Sequence, residues 1–132
     1  MDPLKNPVTL KVDGFKDREV MMVDYKFDQA IDIEGQIAGI PRGGRITIRV
    51  KAMNDGTAEL LNWMISPHLA KSGSIEFLKT TDGSSMKEIK FSDAYCIDFN
   101  EHWEDKQGHW EEIKLSCRKI ENGPVNYELP WA

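Results

Sequence analysis

Three histidines, His68, His102 and His109, raise metal chemistry first, because two of them flank one turn and could approach one another. A catalytic zinc takes three protein ligands and a structural zinc four. Two imidazoles on a hairpin fall short of either, and His68 follows Pro67 at a helix end, where a solvated imidazole is ordinary. No metal site is expected. Carboxylates are abundant. Asp24, Asp28 and Asp32 line one extended segment, while Glu101, Glu104, Asp105, Glu111 and Glu112 crowd another turn. Acid–base catalysis needs two carboxyls in different environments so that their pKa values separate. These lie in Lys-containing polar stretches, so a solvated face is expected.

Nucleophilic chemistry fares no better. Cys96 and Cys117 have no Cys-x-x-Cys partner and no base beside them. Each sits inside an apolar strand pattern, which reads as a buried free thiol in a reducing compartment rather than a disulfide. Gly-x-Ser-x-Gly is absent. Pro41-Arg42-Gly43-Gly44-Arg45 has the glycine pair of a phosphate loop, but lacks the Lys-Ser/Thr pair and the following helix. No catalytic residue, cofactor or metal is expected.

The aromatic residues carry more information. Trp103 and Trp110 sit in an otherwise polar hairpin tip, and Trp131 in a tail. An indole buries a large apolar area yet keeps a polar N–H, so such tryptophans mark contact with another protein or fold back over the end of their own domain. The run Val20-Met21-Met22-Val23 is apolar on both faces of a strand, and the second face, with Met22, suits cover by another subunit.

The elements that must position these residues read as β structure. Alternation predicts strands over 8–12, 19–27 and 45–52, then 74–80, 87–91, 94–103 and 111–120, with Ser92-Asp93 separating the fifth from the sixth. One helix opens at Asn54-Asp55-Gly56-Thr57 and carries Ala58, Leu61, Met64 and Ile65 as a stripe, with Leu60 on its flank. Between the second and third strands lies an excursion over 28–44, long for a compact domain. Seven strands and one short helix predict a mainly β fold: a small antiparallel barrel of two packed sheets, flanked or plugged by the helix.

Size and charge bound the rest. The chain has 132 residues, one domain by length, with a tail over 121–132. Its net charge of −5 disfavours nucleic acid, since a phosphate-binding surface would survive only as a local patch. The longest apolar run is four residues, far below the roughly 20 that cross a bilayer. The N-terminus has neither a basic start nor an apolar stretch of signal-peptide length, so synthesis in the cytoplasm without export by the general route is expected. Read from the residues alone, the chain is a β domain that associates. A barrel-type binding module with a ligand inside, a small β enzyme and an oligonucleotide-binding barrel are the competing classes.

Several segments in order resemble the tube proteins of type VI secretion systems, the TssD or haemolysin-coregulated protein (Hcp) family. They are Gly44-Arg45-Ile46, then Leu61-Asn62-Trp63-Met64 with Pro67, then Lys71-Ser72-Gly73-Ser74-Ile75-Glu76-Phe77. The most specific is Met86-Lys87-Glu88-Ile89-Lys90-Phe91-Ser92-Asp93-Ala94-Tyr95-Cys96; Tyr25, Gln29, Asp32 and Gly35 match upstream. The resemblance covers Val8 to Asn126. It implies a barrel with one flanking helix that forms hexameric rings, stacked into a tube inside a contractile sheath and ejected with its spike into a neighbouring cell. The implied partners are further copies of the chain, a VgrG-type spike, sheath and baseplate proteins, and small effectors carried in the lumen. A specialised paralogue that carries effectors is the variant reading. In such a tube the excursion over 28–44 reaches the adjacent ring, making Arg42, Gly43 and Gly44 candidates for ring stacking. Met22, Trp103 and Trp110 are the candidates for lateral contacts.

Overall fold

The computed structural model describes residues 7–28, 32–36, 42–53, 55–79 and 81–128. Strand β1 (Val8–Val12) turns Leu10 and Val12 inward and Lys11 outward, and stops at Asp13-Gly14, where Gly14 takes φ of 82°. It is followed by β2 (Arg18–Asp28), β3 (Arg42–Lys51), helix α1 (Glu59–Ile65), β4 (Lys71–Leu78), β5 (Ser85–Glu104), β6 (Gly108–Asn122) and β7 (Val125–Glu128). Neighbouring strands run β3-β2-β1-β4-β5-β6-β7, all antiparallel, and β3 also pairs β6. That last pairing closes six strands into a barrel, as the alternation predicts. β7 occupies the same edge of β6 beyond the point where β3 leaves it: β3 pairs 110–116 and β7 pairs 119–122.

The interior is packed by side chains. Ile46 and Ile48 of β3 face Leu115 and Ile113 across the closing seam, all fully buried, with Ile75, Ile89, Phe91 and Ile120 from the other strands. Each such side chain stabilises the fold by about 1.5–3 kcal/mol relative to exposure. A barrel filled in this way does not favour a ligand held inside it.

Three expectations are corrected, two of them by β-bulges, which add one residue to a strand and bend it without ending it. In β2 the register slips between Val20 and Met22, so Val20 opposite Val50 and Val23 opposite Ile48 both face the core. The strand is therefore not apolar on two faces throughout; only Met21, 49% exposed, and Met22, opposite Arg49, stay outside. The two strands expected over 87–91 and 94–103 are one, β5, of 20 residues. Ser92-Asp93 is a bulge there: β4 spends two steps from Lys71 to Gly73 where β5 spends three from Ala94 to Phe91, and Asp93 has φ of 51°.

The third correction concerns α1. Its buried residues are Leu60 and Trp63, while Leu61 and Ile65 of the expected stripe are exposed. Trp63 sets the rotation. Its indole is wholly buried, donates its Nε1–H to the Leu69 carbonyl at 2.9 Å and takes the edge of Phe15 at 5.9 Å. The helix also begins later than expected. Asp55 accepts from the Thr57 N–H and from the Lys16 ammonium at 2.6 Å, which ties the lead-in to the turn after β1. This clip holds the Asp55 carboxyl below its ordinary pKa.

Candidate interaction surfaces

The β5–β6 hairpin places its chemistry-bearing residues on two opposite faces. Cross-strand partners share a face. His102 lies opposite Trp110, and Trp103 opposite His109, so the two histidines point apart and form no common site. Among the described residues no group of three or more His, Cys, Asp or Glu is placed to hold a metal ion.

On the outward face, Trp110 is sandwiched. His102 stacks on it at 4.9 Å between centroids, and the Arg49 guanidinium sits 4.1 Å over its ring. Arg49 also grips Glu112 at 3.0 Å and lies opposite Met22 in the register. Met22 and Trp110 thus belong to one outer surface, spanning β2, β3, β6 and β5, with Arg49 between them. Trp103 does not join them. It stands 67% exposed on the other face of the hairpin, beside His109, whose Nε2 is 2.6 Å from a Glu101 carboxylate oxygen.

The carboxylates of this turn are less solvated than their composition suggests. Glu111 follows the core face of β6, opposite Val50, and is 5% exposed. It is sustained by Arg18, itself 3% exposed, which donates to Glu111 and, at 2.8 Å, to the Lys51 carbonyl. Arg18 Nε finds no hydrogen-bond partner among the described residues. A pair this buried is a structural cross-tie between β2, β3 and β6.

Of the stacking candidates, Arg42 and Gly43 lie at the start of β3, where the backbone of Arg42 pairs with Asp28. Gly44 is buried with φ of 71°, and a Cβ there would come 2.6 Å from the Cys117 carbonyl oxygen. Its need for glycine is therefore met within the barrel wall. Within the excursion, Asp32 folds a short turn by accepting from the N–H groups of Glu34 and Gln36, both at 2.9 Å, which leaves Ile33 fully exposed. Gln29 and most of the rest of the excursion, like Trp131, fall outside the described residues. The sequence reading passed over Ile33, Leu61 and Ile65 as surface residues; exposed apolar side chains become visible only once the turn and the helix rotation are fixed.

Both cysteines are free and buried. Burial pushes the Cys96 thiol up to about 11 and the Cys117 thiol up to about 12. An unfolded thiol ionises near pH 8.5, so above that point the unfolded chain gives up protons that the folded chain keeps. Stability is thus expected to hold between about pH 7 and pH 8 and to fall from about pH 9 towards 11. Urea midpoints measured across this range should lose that part of the fall in a Cys96→Ala/Cys117→Ala variant. Neither thiol should react with an alkylating reagent in the folded protein.

No curated protein matches the chain. A family model described as hemolysin coregulated protein Hcp (TssD) matches residues 5–132. Among solved structures, Hcp1 from Flavobacterium johnsoniae is 33% identical, with a TM-score of 0.84 over 92% of this chain and 98% of that one. Hcp1 of the E. coli EAEC 042 pathovar superposes with a TM-score of 0.76 at 16% identity, over 96% of this chain and 99% of that one. The secreted protein Hcp3 from Pseudomonas aeruginosa gives 0.66 at 13% identity, over 95% and 99%. These two share the fold.

Proposed function

Because the chain belongs to the TssD family of hemolysin-coregulated tube proteins, we propose that it is a structural subunit of the inner tube of a type VI secretion apparatus. Six copies close into a ring, rings stack into a tube, and the tube is assembled in the cytoplasm and expelled with its spike. The observation that carries this reading is the superposition on a 33% identical Hcp1 across 92% of the chain. One feature of the molecule agrees with it: the barrel is filled by side chains, and its strands turn their other faces outward, where further copies can pack. Head-to-tail contacts that close on themselves make such rings, and a second repeated contact stacks them.

In this reading Met22 and Trp110, on their shared outer surface, and Trp103, at the hairpin tip, serve lateral contacts. Arg42, Gly43 and Gly44, at the root of the excursion, serve stacking. The external partners are a VgrG-type spike, sheath and baseplate proteins, and effectors held in the lumen.

Light scattering on the protein eluting from a sizing column tests the assembly. A mass near six times 15.1 kDa, or a ladder of its multiples, is expected. A monomer at every concentration overturns the reading. Arg42→Glu is expected to shorten the ladder while hexamers persist; equal loss of both would remove Arg42 from the stacking contact.

A further inference from the structure

The bulge in β2 sets two methionines against one arginine. β2 spends two steps from Val20 to Met22 where β3 spends one from Val50 to Arg49, so Met21 and Met22 both stand outside the wall opposite Arg49. Met21 is 49% exposed and Met22 is half-buried. Met64 of α1, by contrast, packs against the core. An exposed thioether is open to two-electron oxidants, and its sulfoxide is a polar, chiral group in place of a flexible apolar one.

The surroundings of the pair can receive that change. A guanidinium has five N–H donors. At Arg49, Glu112 engages Nε at 3.1 Å and Nη2 at 3.0 Å, and the group sits over the Trp110 ring. No other acceptor meets it among the described residues, so N–H groups remain for a sulfoxide oxygen. Cross-strand partners such as Met22 and Arg49 have Cβ atoms about 4.5–5.5 Å apart, within reach of such a bond. Neither methionine belongs to the buried core, so the fold has little to lose. What oxidation removes is apolar contact area on the outer surface that Met22 shares with Trp110.

We propose that Met21-Met22 is a methionine-oxidation site, converted by hydrogen peroxide and accommodated by Arg49, which turns this patch from apolar to polar without unfolding the subunit. At each sulfur the peroxide O–O bond breaks, one oxygen bonds to sulfur and the other leaves as water. Sulfur gives up two electrons and the peroxide takes them. The consequence for assembly rests on the ring reading above, in which Met22 serves a lateral contact; the modification itself does not.

The full chain is treated with dilute hydrogen peroxide, then digested for peptide masses, melted, and sized over a dilution series. Met21 and Met22 are expected to gain oxygen on the time course of Met86, which is 61% exposed, and well ahead of Met64. The melting temperature is expected to hold. Peroxide is expected to raise the dissociation midpoint of Met86→Leu oligomers roughly tenfold. It should leave that of Met21→Leu/Met22→Leu, whatever its starting value, where it was. A Met21-Met22 peptide that stays unoxidised at every protein concentration while Met86 converts overturns the site. Unfolding of oxidised Met86→Leu that the double leucine variant escapes also overturns it, since Arg49 would then not accommodate the sulfoxide. Oxidised, folded protein that assembles as tightly as before sustains the site and overturns the lateral placement of Met22. If the wild type is a monomer throughout, the ring reading falls, and the peptide masses and melting still decide the site.

Discussion

Arg18→Met is expected to destabilise the folded subunit by about 3–5 kcal/mol, because it strands the Glu111 carboxylate in the barrel wall. Glu111 is 5% exposed, and its neighbours across the seam are the apolar side chains of β3. Removing Arg18 also frees the Lys51 carbonyl of its 2.8 Å donor. The converse change separates this from a mere loss of attraction. In Arg18→Met/Glu111→Leu both charges are gone and the volume is kept, so stability should return to within about 1–2 kcal/mol of the parent, or exceed it. Urea unfolding of the two variants is the measurement. Equal destabilisation of single and double variants would mean that the pair itself, and not the orphaned charge, holds the wall.

Gly73→Ala is the second change with a large expected effect. A Cβ at this position would lie 2.2 Å from the Lys11 carbonyl oxygen, 2.9 Å from the Phe91 ring and 3.0 Å from the Val12 Cα. Two of these are backbone atoms of β1, the strand paired to β4 at this point, and they cannot rotate away as a side chain would. Glycine in a strand interior marks such close approach of another backbone. Overpacking against mobile side chains costs about 1–3 kcal/mol; with backbone as the obstacle, at least the upper end of that range is expected. Calorimetry should show a clear drop in melting temperature. By contrast, Ser74→Ala, one position along and facing out beside Lys11 and Lys90, should change it little.

How much of this was visible in the sequence depends on which physical signal each element uses. Strands that alternate cleanly were legible: β1 is read to the residue, and the inward set Ile46, Ile48 and Val50 of β3 emerges from period two alone. Bulges defeat that signal, because one added residue inverts the alternation downstream. Hence the apparent two-faced strand at 20–23 and the false break at Ser92-Asp93. The helix stripe was misjudged because periodicity weighs every apolar residue alike, whereas a single indole with a buried partner, Trp63 to Leu69, fixes the rotation. β7 was read as tail. Its cue was Asn122-Gly123-Pro124-Val125, a two-residue turn with Gly123 at φ of 61° joining Asn122 to Val125, but four residues of strand carry too little pattern to register.

The candidate surfaces were half legible. Exposed tryptophans in a charged hairpin drew attention to Trp103 and Trp110, yet only the pairing shows that one is enclosed by Arg49 and His102 and the other stands free. Glu111 was misread as solvated because its residue type outweighed its place in the alternation, where it precedes Ile113, Leu115 and Cys117 on the inward face. What sets it apart from Glu112 is Arg18, distant in sequence, and a pleat that sends one carboxylate inward and the next outward.

The seam between β3 and β6 has a kinetic consequence. It joins Arg45 to Ser116 and Lys51 to Trp110, so even its nearest partners are 59 residues apart (110 − 51) and that whole loop must close before its first bond can form. Contacts between residues so far apart in sequence repay their loop-closure entropy late, which places such topologies towards the millisecond-to-second end of folding. The same seam builds the outer surface on which Met22, Arg49 and Trp110 meet. A nascent subunit has no such surface to offer a neighbour until its own wall has closed. In the proposed tube, monomer folding would therefore precede and gate recruitment, and a growing polymer would draw only on finished parts.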